Sequence, residues 1–334
     1  MNSTDILNKL IAQEDLSAAD MTGLFDAIVR DEVPTTQIAG ILVALRMKGE
    51  SAEEIEGLVR AMRFHMVKVH AEGAIDIVGT GGDGAGTFNI STAAALIACG
   101  AGAKIAKHGN RAASSQCGSA DVLEALGVNI DLSSEQAERV FRNAGIVFLF
   151  APAFHPATKN VVAVRRELKV RTIFNVLGPF ANPAGARRQL VGVPNREIAK
   201  TMASAAKNLD YEHLLIVTSE GMDEISTSSK TSAIELKDGT SRAFTINPSK
   251  FGFSGAAGEL AGGDAAFNAQ IIRDILAGRA GARREVAVLN AALGLYVAGI
   301  ANDAKEGVRL AEKSIDSGEA NAALERLIKH STSV

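Results

Sequence analysis

Apolar residues recur at helical spacing along the first 68 positions. The period fits four segments, which are DILNKLIAQ (5–13), DMTGLFDAIVRDE (20–32), TTQIAGILVALRMKG (35–49) and EIEGLVRAMRFHM (54–66). Ser17 is placed to cap the second helix, and Ser51 with Glu54 forms a capping-box pattern before the fourth. Because no strand pattern interrupts these segments, they predict a small helical domain or an oligomer surface.

From Ala74 onward, short apolar runs alternate with helical segments. Strands are predicted at IDIV (75–78), AKIAKH (103–108), IVFLFAP (146–152), QLVGVP (189–194), HLLIV (213–217), TSAIEL (231–236) and FTI (244–246). Helices are predicted after Ser91, at DVLEALG (121–127), after Ser133 and across the last third from residue 267. The alternation predicts an α/β fold, with a large domain whose mostly parallel central sheet is flanked by helices, plus the small all-helical domain.

Residues 155–182 turn helical again between two predicted strands. We expect this excursion to return to the first helices, giving a small domain of residues 1–68 joined by 155–185 and a large domain of residues 74–150 and 186–334. The richest apolar stretch, residues 286–301, is broken by Asn290 and contains Gly294, which favours a buried helix over a membrane span. The N-terminus lacks the apolar core of a secretory signal, so a cytoplasmic protein is expected.

The composition limits the classes of protein that fit this sequence. The 334 residues are 47% apolar and 22% charged, as in ordinary globular proteins. A formal net charge of −3 argues against a nucleic-acid-binding protein. Cys99 and Cys117 form no metal-ligand pattern and are expected to be reduced thiols, with a reactive Cys117 as the open alternative.

Residues 75–92, IDIVGTGGDGAGTFNIST, carry a glycine-rich loop between a predicted strand and a predicted helix. Glycine lets the backbone turn sharply and bring its N–H groups close to an anion. Asn89, Ser91 and Thr92 are expected to supply N-cap oxygens for the helix, whose positive end favours negative charge. The segment therefore predicts a phosphate-binding loop.

Two common phosphate motifs do not fit this loop. GxGxxG is satisfied at Gly79, Gly81 and Gly84, but a dinucleotide site needs an acidic residue about 20 positions later, and none occurs between Gly84 and Ala120. The Walker A spacing is present from Gly81 to Gly86, but Thr87 stands where lysine is required.

Three further groups of residues are candidates for binding a phosphorylated ligand, a metal ion or a carboxylate. KHGNRAASSQCGS (107–119) places cations after the second strand, where a ligand held by the glycine-rich loop would extend. Asp223 and Glu224 follow an apolar strand and suit Mg²⁺, although a solvated turn is the alternative for such a pair taken alone. Arg165, Arg166 and Arg171 include a candidate bidentate partner for a carboxylate, the alternative being surface charges paired with Glu167.

These motifs together resemble the anthranilate phosphoribosyltransferase family of tryptophan biosynthesis. The match rests on GTGGDGAGTFNIST (79–92), KHGNRAASSQCGSADVLEALG (107–127), HPATKNVVAVRREL (155–168) with RTIFNVLGPFANP (171–183), and GMDEIS (221–226). The resemblance implies a pentosyl-transferring glycosyltransferase that moves a phosphoribosyl group from 5-phosphoribosyl 1-diphosphate (PRPP) to the amine of anthranilate, giving N-(5-phosphoribosyl)anthranilate and diphosphate. It also implies two Mg²⁺ per active site and a homodimer formed through the helical domain.

The resemblance assigns binding roles residue by residue. The implied PRPP-binding positions are Gly79, Gly82, Asp83, Thr87, Asn89, Ile90, Ser91, Thr92, Lys107, His108, Gly109, Asn110, Arg111, Ala112, Ala113, Ser114, Ser115 and Ser119. Those implied for anthranilate are Gly79, Asn110 and Arg165, with His108, Gly178 and Pro179 lining its channel, and those for the metal are Ser91, Asp223 and Glu224. No single side chain is expected to act as acid or base, because Lys107 and the Mg²⁺ site stabilise the departing diphosphate.

Two alternatives share this fold. A pyrimidine nucleoside phosphorylase would bind inorganic phosphate and a nucleoside, but the acidic pair and the KHGNR block favour the transferase. A non-catalytic nucleic-acid-binding paralogue would show a basic surface and a degraded metal site, which the net charge and the retained acidic pair argue against. Residues 218–220 and 228–230, on either side of that pair, depart from the usual family pattern.

Overall fold

The computed structural model describes residues 2–112, 116–255 and 257–334. The helices are α1 (Ser3–Ile11), α2 (Ala18–Val29), α3 (Thr35–Lys48), α4 (Ala52–His65), α5 (Ile90–Gly100), α6 (Ser119–Leu126), α7 (Ser134–Ala144), α8 (Ala151–Phe154), α9 (Lys159–Leu168), α10 (Phe174–Leu177), α11 (Arg196–Ala206), α12 (Ala265–Leu276), α13 (Ala282–Ala298), α14 (Ala304–Asp316) and α15 (Glu319–Thr332). The strands are β1 (Ile75–Gly79), β2 (Ile105–Gly109), β3 (Ile146–Phe150), β4 (Arg188–Gly192), β5 (His213–Thr218), β6 (Thr231–Lys237) and β7 (Thr240–Ile246). Short 3₁₀ helices lie at Pro156–Thr158, Gly178–Ala181, Pro248–Phe251 and Ala257–Leu260.

Within the described residues, the strands form one seven-stranded sheet in the order β3-β2-β1-β4-β5-β6-β7. The ladders from β3 to β5 are all parallel, whereas β6 pairs antiparallel with both β5 and β7. The predicted fold class, a mostly parallel sheet flanked by helices together with a helical part, is therefore confirmed.

Helices α5 and α13 pack against each other and cover one face of the sheet. Residues Ala93 to Ala98 of α5 are completely or almost completely buried. In α13, a β-carbon at Gly294 would overlap the side chain of Ile77 on β1, so glycine allows the helix to approach the strand. The apolar stretch around Asn290 is thus a buried helix as predicted, and among the described residues no helix is long and apolar enough to cross a membrane.

Helices α1 to α4 share a second core with side chains from the 155–182 excursion. Val161, Val164 and Ile173 pack in this core, as does Val191 of β4, so the helical part lies on the other face of the sheet. The predicted caps are present: the Ser17 and Ser51 hydroxyls accept hydrogen bonds from backbone N–H groups at the starts of α2 and α4. These contacts support the proposed joining of residues 155–185 to the helical domain, which stays a prediction.

Two helices were not predicted from the sequence pattern: α8, whose first two residues were assigned to the strand at 146–152, and α11. The reason is clear for α11. Its sequence, REIAKTMASAA, has few large apolar residues, so its helical period is weak. The Asn195 side chain caps it by accepting a hydrogen bond from the N–H of Ile198 at 2.9 Å. Met202 and four alanines are buried, which allows the helix to pack closely against α4 and against strands β5 and β6.

Candidate active site

The strands β1, β4 and β5 end at one edge of the sheet, at Gly79, Gly192 and Thr218. The winding reverses between β1 and β4, because β2 and β3 lie on one side of β1 whereas β4 and β5 lie on the other. Ligands of open α/β sheets bind in the crevice at such a switch point. Residues 79–89, the glycine loop, and residues 219–230, the acidic loop, meet at this point.

Glycine at two strand ends makes room for Asp223. Gly79 and Gly192 are register partners across β1 and β4. A β-carbon at Gly192 would overlap the carbonyl oxygen of Asp223, and a β-carbon at Gly79 would overlap its carboxylate. Sequence reasoning assigned Gly79 to a ligand and missed Gly192, although a glycine at the end of a strand in QLVGVP was the available signal.

Hydrogen bonds join the acidic loop to the glycine loop. The N–H of Gly81 donates to Asp223 Oδ2 at 2.6 Å, and the N–H of Asp223 donates to Asp83 Oδ2 at 3.1 Å. Asp83 also accepts from the N–H of Ala85 at 3.0 Å, which stabilises the turn that it begins. The backbone of the glycine loop thus donates a hydrogen bond to a carboxyl group of the chain, and its binding of phosphate stays a prediction.

The carboxylate of Glu224, from the acidic loop, lies at the N-terminal end of α5. Its Oε1 accepts a hydrogen bond from the N–H of Ser91 at 3.1 Å. The expectation that Asn89, Ser91 and Thr92 supply the cap oxygens is wrong, because Asn89 makes no side-chain cap and the Thr92 hydroxyl is buried without a partner among the described residues. The distant carboxylate takes the cap role, and a local pattern gives no sign of it.

Asn89 holds two other elements at the site. Its Nδ2 donates to the carbonyl of Cys117 at 3.2 Å, and its Oδ1 accepts from Asn268 of α12 at 3.0 Å. Next to it, the GTFNI extension pairs with a neighbouring segment, since Phe88 donates to Leu260 and Thr87 forms a β-bridge with Ala261. The extension therefore ties the glycine loop to the segment before α12.

The acidic pair is buried, and its electrostatics favour a cation. Asp223 and Glu224 are 7% and 9% exposed. Burial and the neighbouring Asp83 raise the pKa of Asp223 to about 7. Burial, followed by the charge of Asp223, raises the pKa of Glu224 well above its usual value, while Lys107 opposes that shift. Two buried carboxylates of this kind are stable in their ionised form only beside positive charge.

Lys107 lies beneath the glycine loop. Its Nζ donates to the carbonyl of Ile77 at 2.7 Å and to Ser91 Oγ at 3.1 Å, and the residue is 3% exposed. Burial lowers the pKa of the ammonium group, and the charges of Asp76 and Glu224 act in the opposite direction. Lys107 thus holds the Ser91 hydroxyl and adds positive charge at the base of the site.

The donor set suits Mg²⁺ bound together with a substrate. Among the described residues, no group of three or more His, Cys, Asp and Glu side chains is arranged as a complete metal site. Asp223, Glu224 and the Ser91 hydroxyl supply hard oxygen atoms, and Mg²⁺ prefers one or two carboxylates completed by water and phosphate oxygens. Burial raises the pKa of both carboxyls, so a bound cation would stabilise their ionised forms, and the residues fit the ion.

The loop after β2 is arranged by Asp121 of α6. Asp121 Oδ2 accepts from the N–H groups of Ala112 at 3.0 Å and Gly118 at 2.8 Å. The Arg111 guanidinium pairs with Asp121 and Glu124, so it lies on α6 and away from the glycine loop. Other positions of the predicted PRPP set, Ala113, Ser114 and Ser115, lie outside the described residues.

The first residues of this loop are held to the start of α6. The carbonyl of Asn110 accepts from the N–H of Ala120 at 3.2 Å and from the Ser119 hydroxyl at 3.4 Å. Gly109 leaves room for that hydroxyl, because a β-carbon there would overlap it. Burial raises the pKa of the nearby Cys117 thiol to about 11, which disfavours the reactive thiolate.

The helical excursion contacts β2 at two histidines, His155 of the excursion and His108 of the strand. His108 Nδ1 lies 3.0 Å from the carbonyl oxygen of Gly178, so the proton resides on Nδ1. Burial lowers the pKa of His108 to about 3 and that of His155, whose ring lies 5.1 Å away, to about 4. Both rings are therefore neutral near pH 7. Sequence reasoning missed His155, and its place in the HPATKN motif is the signal that pointed to it.

The excursion is fastened to the sheet at its C-terminal end. Asn182 donates to Asp76 of β1 and to the carbonyl of Ala106 on β2, both at 2.8 Å. The carbonyl of Pro179 accepts from Gln189 of β4 at 2.8 Å. Gly178 and Pro179 are thereby fixed next to His108, and their place in an anthranilate channel stays a prediction.

The three arginines of the excursion lie in different surroundings. Arg165 is half-buried, its Nη2 donates to Asn175 at 3.4 Å, and its buried Nε has no hydrogen-bond partner among the described residues. Arg171 donates to the carbonyls of Gly81 at 3.2 Å and Gly82, which holds the glycine loop from outside. Within the described part of the chain, neither these two arginines nor Arg166 forms an ion pair, so the predicted alternative of pairs with the adjacent glutamate is not observed.

Two family models cover the chain. The model described as "Glycosyl transferase family, a/b domain" matches residues 71–321, and "Glycosyl transferase family, helical bundle domain" matches residues 4–66. An anthranilate phosphoribosyltransferase from Methanosphaerula palustris is 47% identical over 332 residues, which cover 98% of each chain. The chain belongs to the anthranilate phosphoribosyltransferase family.

Solved structures of the family share the fold described above. The crystal structure of anthranilate phosphoribosyltransferase from Thermus thermophilus matches with a TM-score of 0.91 and 41% identity over 98% of this chain and 99% of that one. The Saccharomyces cerevisiae enzyme in complex with PRPP and Mg matches with a TM-score of 0.90 and 30% identity over 99% and 98% of the two chains. The family inferred from the motifs is confirmed.

Proposed function

We propose that the chain transfers the 5-phosphoribosyl group from PRPP to the amine of anthranilate, releasing diphosphate in the biosynthesis of tryptophan. The observation that carries this proposal is the junction of the glycine loop with the buried acidic pair at the switch point of the sheet. Membership of the anthranilate phosphoribosyltransferase family supports the reaction, and the yeast relative, solved with PRPP and Mg, supports the donor and the cation.

Mg²⁺ would be held by Asp223, Glu224 and Ser91, and we propose two ions per site. When bound, the metal neutralises the phosphate oxygens of PRPP and stabilises the negative charge that develops on diphosphate. The protein's part is to hold hard oxygen ligands in a buried place and to keep Lys107 beneath Ser91. The nearby ammonium group adds positive charge at the base of the site, where the leaving group accumulates negative charge.

The donor's phosphates would lie along the glycine loop and the N-terminus of α5. Backbone N–H groups of Gly79, Gly82 and Asp83 and the oxygens of Thr87 and Ser91 are proposed contacts, following the family motif. The N–H of Gly81 is already bonded to Asp223, so we propose that this carboxylate turns toward the metal when the donor enters. Arg171 keeps the loop in place by holding its carbonyls from the outer side.

Anthranilate would bind on the side formed by the helical excursion. Arg165 has a buried N–H to offer and forms no ion pair among the described residues, so its guanidinium suits a planar carboxylate. Burial lowers the pKa of this group, and a bound carboxylate would compensate that cost. Neutral His108 and His155 give the aromatic ring apolar faces to pack against.

The transfer itself needs little acid–base chemistry. The amine of anthranilate is neutral and nucleophilic, so the site has mainly to align its nitrogen with the ribose C1 and to exclude water. As the new C–N bond forms and the bond from C1 to diphosphate breaks, the amine proton passes to solvent or to the released diphosphate. No side chain is therefore proposed as an indispensable base.

Two wider expectations accompany this function. We propose a homodimer formed through the helical domain and a cytoplasmic location, both carried over from the family and the sequence pattern. Light scattering coupled to gel filtration tests the dimer, since a monomer at micromolar concentration would contradict it.

The test of the function compares substrates of the candidate reactions. The protein is mixed with anthranilate, PRPP and Mg²⁺, and the loss of anthranilate fluorescence is followed; parallel mixtures contain thymidine or uridine with inorganic phosphate. We expect fluorescence loss that requires all three components and no nucleoside cleavage. Nucleoside cleavage without anthranilate consumption would assign the chain to the phosphorylase alternative.

A further inference from the structure

Asn290 is a buried polar residue in an otherwise apolar stretch of α13. It is 0% exposed, and the residues on both sides of it, from Val286 to Leu295, are almost all apolar and buried. Burying an amide in such surroundings costs free energy unless its hydrogen bonds are made. The Asn290 amide therefore needs hydrogen-bond partners within the protein for both its donors and its acceptor.

The Asn290 amide is directed at the acidic loop. Its Oδ1 accepts from the N–H of Ile225 at 3.0 Å, and its Nδ2 donates to the carbonyl of Ile225 at 2.9 Å. The second Nδ2 proton is taken by the carbonyl of Val286, also at 2.9 Å. Both backbone groups of Ile225, the residue that follows Glu224, are thus bound by one side chain of the helix.

Ser219 binds the same peptide unit from the opposite side. Its hydroxyl donates to the carbonyl oxygen of Glu224 at 2.6 Å, and this oxygen belongs to the peptide whose N–H is that of Ile225. The Ser219 oxygen lies 2.8 Å from the Thr231 hydroxyl, which must donate to it because the serine proton is already used. It also accepts from the N–H of Ser226 at 3.1 Å.

The peptide between Glu224 and Ile225 is consequently fixed at both its oxygen and its nitrogen. This matters because Asp223 and Glu224 are adjacent, buried and alike in charge, so their repulsion favours an outward displacement of the loop. Asn290 and Ser219 are not placed to touch the metal or the substrate. Their contacts instead determine where the Glu224 carboxylate lies relative to Ser91.

We propose that Asn290 and Ser219 are positioning residues for the metal-binding acidic pair, holding the Glu224–Ile225 peptide so that the Glu224 carboxylate meets the incoming Mg²⁺. The inference rests on the proposed function, which assigns that carboxylate to the metal. Residues that orient metal ligands typically change metal affinity or activity by about 10- to 100-fold when they are replaced.

The test uses two variants. Asn290→Leu removes the amide group at similar side-chain size. Ser219→Ala removes only a hydroxyl, and it serves as the second variant if the Asn290 variant does not fold. Ser314→Ala is the matched control, because that buried hydroxyl donates to the carbonyl of Ile97 at 2.8 Å, between α14 and α5. Calorimetry measures the affinity for inorganic diphosphate with and without Mg²⁺, and anthranilate binding is measured separately.

We expect Mg²⁺ to strengthen diphosphate binding in the wild-type protein and in the Ser314 variant. In the Ser219 and Asn290 variants, that metal-dependent gain should fall by about 10- to 100-fold while the anthranilate affinity is unchanged. Folded variants that keep the full gain, or a loss equal to that of the Ser314 control, would overturn the inference. Absence of any Mg²⁺-dependent gain in the wild type would instead refute the proposed function on which the inference rests.

Discussion

Replacing Gly192 by alanine tests whether the packing of the acidic loop on the strand ends controls the reaction. The added β-carbon would overlap the carbonyl oxygen of Asp223 and lie 2.6 Å from its carbonyl carbon, whereas real β-carbons keep at least 3.0 Å from such atoms. Because the obstructing atoms are backbone, the loop has to retreat by about 1 Å, and a displacement of that size can cost roughly 100-fold in rate. This corresponds to about 2.7 kcal/mol of lost transition-state stabilisation.

The assay is kcat/KM from the loss of anthranilate fluorescence, with circular dichroism to confirm folding. Gly23→Ala is the matched control, since a β-carbon at this position in α2 has nothing within 4 Å. We expect the control to keep wild-type kcat/KM and to gain about 0.5–1 kcal/mol of stability, the usual benefit of alanine over glycine in a helix. A folded Gly192→Ala protein within about twofold of wild-type kcat/KM, and not about 100-fold below it, would show that this packing does not control the reaction.

Three further predictions concern single side chains at the site. Arg165→Lys should raise the KM for anthranilate by about 10- to 100-fold, as expected for a lost charge-assisted bidentate contact, while Arg166→Lys leaves it unchanged; equal effects of the two would contradict the assignment. Arg171→Ala should raise the KM for PRPP and leave that for anthranilate unaltered in steady-state kinetics, because it releases the glycine loop; an unchanged KM for PRPP would argue against this hold on the loop. In chelator-treated protein, the raised pKa of Asp223, about 7, means that the stabilising proton is present at low pH and lost as pH rises through that value. The melting temperature should therefore fall as the pH rises from about 4, the ordinary pKa of an aspartate carboxyl, to about 7, and level off above that, and an equal fall in Asp223→Asn would disprove the assignment to this group.

The fold and the family were accessible from the sequence because they depend on local patterns. Helix caps such as Ser17 and Ser51, alternating apolar runs and contiguous motifs each lie within a short stretch of chain, and the structure contains the elements that they predict. Helix α11 was missed for the same reason, since its small side chains give a weak period.

The arrangement of the site depends on contacts between residues far apart in the chain, and the sequence does not display these. Glu224 caps α5 across 133 positions, so the expectation of a local cap at Asn89 was wrong. Glycine is needed at position 192, at the end of β4, because the acidic loop after β5 packs against it. Asn290 interrupts an apolar helix in the sequence, and only the structure shows that it binds Ile225. Such roles become visible once the strand ends are brought together by the sheet.

We expect this chain to couple PRPP cleavage to the consumption of anthranilate at a site that depends on Mg²⁺. Phosphorus NMR of a reaction mixture measures it directly, by comparing the diphosphate released with the anthranilate consumed. We expect equal amounts of the two, no release when anthranilate is omitted, and no reaction when a chelator removes the metal. Diphosphate release that is independent of anthranilate, or no release at high protein concentration with both substrates and Mg²⁺ present, would contradict it.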